Sequence, residues 1–138
     1  KHEALDKVID TIVEILKINN INNAIKFLEE NNIYDVRLLT LYHQNNQHEQ
    51  ALILTKKLYH KTKNVKYLAQ LAMLEYETAT NKNKILNTVI ANFNIVLKTI
   101  DEPAYNNYFG YLLIDHNINI RRGTKLIKKA LDKEPLNI

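Results

Sequence analysis

From Leu5 to Leu131, apolar residues recur every three or four positions, and no stretch sustains an apolar–polar alternation of period two. That spacing lines apolar side chains along one stripe of an α-helix and gives a strand no consistent face to bury. Residues 5–18 place Leu5, Val8, Ile9, Ile12, Ile15 and Leu16 on one stripe, which Asn19-Asn20 interrupts. Ile21, Ala24, Ile25 and Leu28 form a second stripe, stopping at Asn31-Asn32. Further helices are expected over 34–45, 47–62, 65–79, 82–101, 103–116 and 121–134. The breaks between them are short and rich in Asn, which tolerates left-handed backbone and caps helix ends. Connections this short make sequence neighbours antiparallel. The expected fold class is all-α, about eight helices paired as αα-hairpins.

Both prolines and both glycines fall within residues 101–135. Pro103 follows Asp101-Glu102 at a helix start, where its missing N–H costs nothing. Pro135 ends the helix begun near Arg121. Gly110 stands inside the apolar run Tyr108-Phe109-Gly110-Tyr111-Leu112-Leu113, where glycine costs about 1 kcal/mol relative to alanine. Close approach of a neighbouring helix is the compensating reason expected there. Gly123 has the matching role in the next helix, whose apolar face carries Leu126, Ile127, Ala130 and Leu131.

These positions resemble a known repeat. Gly110, Leu113, Gly123, Ile127, Ala130 and Pro135 are similar to the signature of the tetratricopeptide repeat (TPR), with one extra residue in the turn and glycine in place of the usual alanine at 123. Earlier units resemble it more loosely, through Ala24 and Leu28, then Leu39, Tyr42, Ala51 and Leu58, then Leu68, Ala72, Ala91, Ile95 and Pro103. Ala24, Ala51, Ala91 and Gly123 lie 27, 40 and 32 residues apart, averaging near the 34-residue period of such repeats. The resemblance implies one helical repeat domain over 1–138, with units at about 1–32, 33–64, 65–102 and 103–136, stacked as a right-handed superhelix. It is expected to be a fragment of a longer chain, since it starts at Lys1 and stops at "EPLNI".

The family's first helices line a concave groove, so the resemblance implies a scaffold that binds a peptide or protein partner there. By register the groove should include Arg37, Thr40, His43 and Gln44, then Lys66, Gln70, Met73 and Glu77, then Asn107, Tyr111 and Asp115. The family's carboxylate-clamp subtype needs Lys and Asn on these helices. Here Tyr111 follows Asn107 by one turn, and Val36 and Ala69 occupy equivalent places, so a clamp is not expected. A groove of Tyr and amides suits an extended or helical peptide instead. Similar repeats are common in bacterial envelope lipoproteins, which makes the bacterial periplasm or cell envelope the implied home, with the cytoplasm as the other option.

Composition removes several chemistries. Cysteine and serine are absent, so there is no disulfide, thiolate site or serine nucleophile. "HEQAL" from His48 begins like a zinc-protease helix, but Leu52 stands where the second histidine is required. Asp115, Asn117 and Asn119 imitate a calcium loop, yet Ile120 replaces its glycine and Leu126 its glutamate. His43, His60 and His116 stand alone in sequence. Glu75 and Glu77 point different ways on a helix, so no acid/base pair is visible. No enzyme activity, cofactor or metal is expected, and no apolar run is long enough to span a membrane.

The net charge of +4 is concentrated: residues 121–133 hold six basic residues against Asp132 alone. Arg122, Lys125, Lys129 and Lys133 form a stripe on helix 121–134, which offers a rival reading as a basic nucleic-acid-binding helix. The stripe has no aromatic residue to stack on a base, so a solvated outer face is favoured and no nucleic acid is expected. Tyr105, Tyr108, Phe109 and Leu112 share a face expected to pack in the core. The apolar face of 123–131 is expected to lie open at the C-terminal end and to support self-association there.

Overall fold

Asparagine sets the punctuation of this chain. A computed structural model describes residues 2–135, and among them are eight helices and no strand. They are α1 His2–Asn19, α2 Ile21–Glu30, α3 Val36–Gln44, α4 His48–Thr62, α5 Val65–Thr78, α6 Lys82–Thr99, α7 Pro103–Asp115 and α8 Ile120–Lys133. The expected end of the last unit, at residue 136, lies outside the described residues. Asn20, Asn64, Asn81 and Asn119 are N-caps whose side chains accept from backbone N–H groups of the first turn. Asp35 caps α3 the same way, which leaves Tyr34 outside the helix expected to include it.

Asparagine also closes helices. Asn32, Asn46 and Asn117 have φ of 55°, 56° and 52°. After each one, the next residue's N–H reaches back to a carbonyl in the last turn: Ile33 to Leu28, Gln47 to Tyr42, and Ile118 to Leu113. This is the Schellman closure, with Asn in the left-handed position usually held by Gly. Asn117→Gly should therefore be neutral or slightly stabilising. Asn117→Val, which places a β-branched side chain in that backbone region, should lose about 1–2 kcal/mol. Chemical denaturation of the pair checks both signs.

The chain divides into two compact units, residues 1–61 and 62–138. In the first, α1 packs on α2 and α2 on α3, with Ala24, Leu28 and Leu38 fully buried. The stripe expected on α1 splits in two. Val13 is buried and Ile9, Ile12 and Leu16 are half-buried, whereas Leu5, Val8 and Ile15 face solvent.

In the second unit α6 packs against both α5 and α7, and α7 against α8. Ala72, Val89, Phe93, Phe109, Leu112 and Leu113 form its core. Phe93 stacks on Phe109 at 5.1 Å between ring centroids and lies 5.7 Å from Tyr108. Here two expected repeat positions are corrected. Ala91 and Ile95 are exposed, because the buried stripe of α6 runs through Val89, Phe93 and Val96, and both lie on the opposite side of the helix. Ala51 and Ala72 are fully buried and Ala130 nearly so.

Gly110 and Gly123 meet each other. A Cβ on Gly110 would stand 2.8 Å from the Gly123 carbonyl oxygen, and one on Gly123 would stand 2.6 Å from that of Gly110. The two backbones touch where side chains would hold α7 and α8 apart. Gly123 and Ala130 are buried, and Leu126 and Ile127 are half-buried. The apolar face of α8 is therefore largely occupied rather than open; Leu131, 39% exposed, is the part left over.

Candidate partner-binding cleft

Tyr76 and Tyr108 build one wall of a cleft between α5 and α7. Their rings meet edge to face at 6.4 Å and 87°, the geometry the aromatic quadrupole favours. His116, at the end of α7, meets Tyr76 the same way at 5.8 Å and hydrogen-bonds the Tyr76 hydroxyl through Nε2 at 2.7 Å. A histidine that stands alone in sequence is thus part of a packed polar pair. On α6, Lys82 sits 4.7 Å from the Tyr76 ring centroid and donates to the Tyr76 carbonyl at 2.8 Å. With Tyr76 and Tyr108 fixed, Glu77, Asn107, Tyr111 and Leu112 complete the lining of a cleft of about 470 Å³.

The electrostatics keep the phenols neutral. Burial, then the Glu77 carboxylate, raises the Tyr108 pKa well above the ordinary phenol value, and burial, then Asp115, raises that of Tyr76. Both hydroxyls stay protonated at neutral pH. Tyr108 donates to Glu77 Oε1 over 3.4 Å, a long bond that leaves the carboxylate open to other donors. Tyr111, 62% exposed, projects its ring at the mouth.

The expected groove residues part company here. Glu77, Asn107 and Tyr111 come together in this cleft. Met73 instead packs against the core of the unit. Gln70 is half-buried, with its Oε1 buried and without a hydrogen-bond partner. Lys66 is exposed and pairs with Glu102 at 3.9 Å. Asp115 is exposed, 3.9 Å from His116 Nε2. Sequence reasoning missed Tyr76 as a lining residue, although it neighbours Glu77, and assigned Tyr108 and Leu112 to core packing alone.

In the first unit, Arg37 and Thr40 line a separate cleft of about 220 Å³ between α1 and α3, with Asp10 and Glu14. Arg37 is not a free groove residue. Its guanidinium pairs with Asp35 at 2.6 Å and with Asp6 and Asp10 at 3.3 Å each. Burial alone would raise the Asp35 pKa, but hydrogen bonds from the Arg37 side chain and backbone outweigh it and hold the group ionised. Thr40 donates its hydroxyl to the Val36 carbonyl at 2.9 Å, and His43 and Gln44 are exposed without lining either cleft.

The basic stripe of α8 is less solvated than expected. Asp101 accepts from Asn106 Nδ2 at 2.7 Å and Lys133 Nζ at 2.8 Å, and Lys129 lies 3.4 Å away. Arg122 lies over the Phe109 ring at 5.1 Å. Three of the four stripe residues thus have partners within the unit. The Lys133 and Asn106 hydrogen bonds lower the Asp101 pKa from 3.8 to about 2. Because the folded value is depressed, this stabilisation is complete above about pH 4 and is lost as pH falls toward 2. A carboxyl-carbon NMR titration should read a value of about 2 for Asp101. In Lys133→Met it should move up toward the ordinary carboxylate value of about 3.9.

No protein-family model matches the chain, and no curated protein matches it either. Among the described residues, no helix is long and apolar enough to cross a membrane, and no group of three His, Cys, Asp or Glu side chains is placed to hold a metal ion.

Proposed function

We propose that the chain is a protein-interaction module of TPR-like repeats that binds a peptide or protein partner and performs no catalytic step. The α5–α7 cleft carries this reading: exposed Tyr111 and Asn107 at the mouth, Tyr76 and Tyr108 behind, and one accessible carboxylate on Glu77. Aromatic rings give contact area at low entropy cost, and Tyr is enriched among the residues that dominate protein interfaces. The flat faces beside a carboxylate suit a segment with apolar side chains and a basic one.

The repeat assignment draws support from α6 packing against both α5 and α7, and from the contact of Gly110 with Gly123 at signature positions. A right-handed superhelix over the whole chain is part of the proposal. The test is affinity capture from extract, followed by titration of the captured partner against wild type, Tyr111→Ala and Asn107→Ala. Each change is at an exposed position, and Tyr111→Ala should weaken binding at least tenfold, about 1.4 kcal/mol. Capture unchanged by both variants contradicts the assignment. So does capture of nucleic acid with a steep salt dependence, lost when Lys125 and Lys129 become Glu.

A further inference from the structure

Helix α1 has two apolar faces, and its own unit covers only one. Val13 is buried and Ile9, Ile12 and Leu16 are half-buried. On the other face Leu5, Val8, Ile15 and Ile18 are 58%, 54%, 62% and 86% exposed. Ala4 and Thr11 lie among them, and the Thr11 hydroxyl is satisfied by the Lys7 carbonyl at 2.8 Å. With 3.6 residues per turn, this face carries no charge. Glu3, Lys7 and Glu14 all fall along one edge of it. Leu5 and Ile12 form the other edge. Asp6 and Asp10 are engaged by Arg37 on α3.

We propose that this face pairs with the same face of a second copy of the chain, antiparallel and centred on Thr11. A two-fold axis across such a pair brings each edge against its own equivalent. Centring on Thr11 sets Val8 across from Ile15 and Ala4 across from Ile18, and the small Ala4 and Thr11 allow the helices to approach. The same register runs Lys7 of each copy alongside Glu14 of the other, so symmetry yields two ion pairs. A parallel pair would set the charged edge against the apolar one and make neither. Among the described residues Lys7 and Glu14 take part in no ion pair of their own unit. One helix face is smaller than the about 800 Å² per partner of a standard interface. The dimer is therefore modest in affinity, and its charges fix orientation more than strength.

Sedimentation equilibrium of residues 1–138 tests this. The expected result is a monomer–dimer equilibrium with Kd on the order of 10–100 μM. Lys7→Glu and Glu14→Lys should each weaken it about tenfold, since each turns two attractive pairs into repulsive ones. The double exchange should restore the wild-type Kd. A mixture of the two single variants should form a heterodimer tighter than either homodimer. All these positions are exposed, so far-UV circular dichroism confirms that each variant is folded. A chain that stays monomeric over the range overturns the proposal, as it would if another protein or another segment covers this face. A dimer indifferent to the charge exchanges overturns it too.

Discussion

Phe93→Ala should cost the unit 62–138 about 3–5 kcal/mol, the range for emptying a well-packed aromatic site. Phe93 is 0% exposed and stacks on Phe109. It also supports Tyr108 from behind at 5.7 Å, so its removal opens a cavity beneath the wall of the cleft. The change should act twice: it lowers the unfolding midpoint, and it loosens Tyr108 and Tyr76 in whatever remains folded. Near-UV circular dichroism follows the first directly, because the chain has no Trp and its signal comes from Tyr and Phe. Phe93→Leu refills most of the volume and should recover more than half of the loss. If Phe93→Ala unfolded at the wild-type midpoint, the described core would be wrong.

Gly123→Ala should also destabilise, against the direction helix propensity predicts. Alanine is favoured over glycine inside a helix by about 1 kcal/mol. Here, however, the new Cβ would stand 2.6 Å from the Gly110 carbonyl oxygen and 2.7 Å from Ile114 Cγ1. The side chain of Ile114 can rotate, but a backbone oxygen can move only if α7 moves. Overpacking of this kind costs about 1–3 kcal/mol and the propensity gain offsets about 1 kcal/mol of it, so a net loss of up to about 2 kcal/mol is expected for alanine and about 3 kcal/mol for valine. Ala91→Gly is the control, because Ala91 is exposed within α6. It should lose only the propensity difference of about 1 kcal/mol. Urea unfolding of the three variants separates close backbone approach from propensity; a stabilised Gly123→Ala would refute the contact.

What could be read from the sequence followed from local rules. Helix positions and their ends were legible because Asn marks them chemically, as an N-cap at Asn64 and Asn119 and as a left-handed closure at Asn46 and Asn117. The face of a helix was legible only where its apolar residues form a single stripe. In α6, Ile85, Val89, Ile90, Ile95 and Leu97 spread around the helix, so Ala91 and Phe93 were equally plausible centres by spacing. In α1 the same excess of apolar residues concealed two faces. Gly110 and Gly123 were legible as small residues, but not as each other's partner.

The cleft was half visible for a related reason. Glu77, Asn107 and Tyr111 follow from helical register, since each projects from the surface of its own helix. Tyr76 and Tyr108 line the cleft with one side of the ring while packing with the other, and spacing alone cannot divide a ring that way. The Asp101 cluster depends on a contact with Lys133 across 32 residues, for which neither position carries a local signal.

Site-specific photocrosslinking from position 111 tests the proposed function most directly. With a benzophenone side chain in place of Tyr111, and separately in place of Lys125, the folded chain is irradiated in extract. A discrete protein adduct from position 111, absent from position 125 and suppressed by Asn107→Ala, is the result expected of a partner seated between α5 and α7. No adduct at 111, or an adduct only at 125 that nuclease removes, would contradict it.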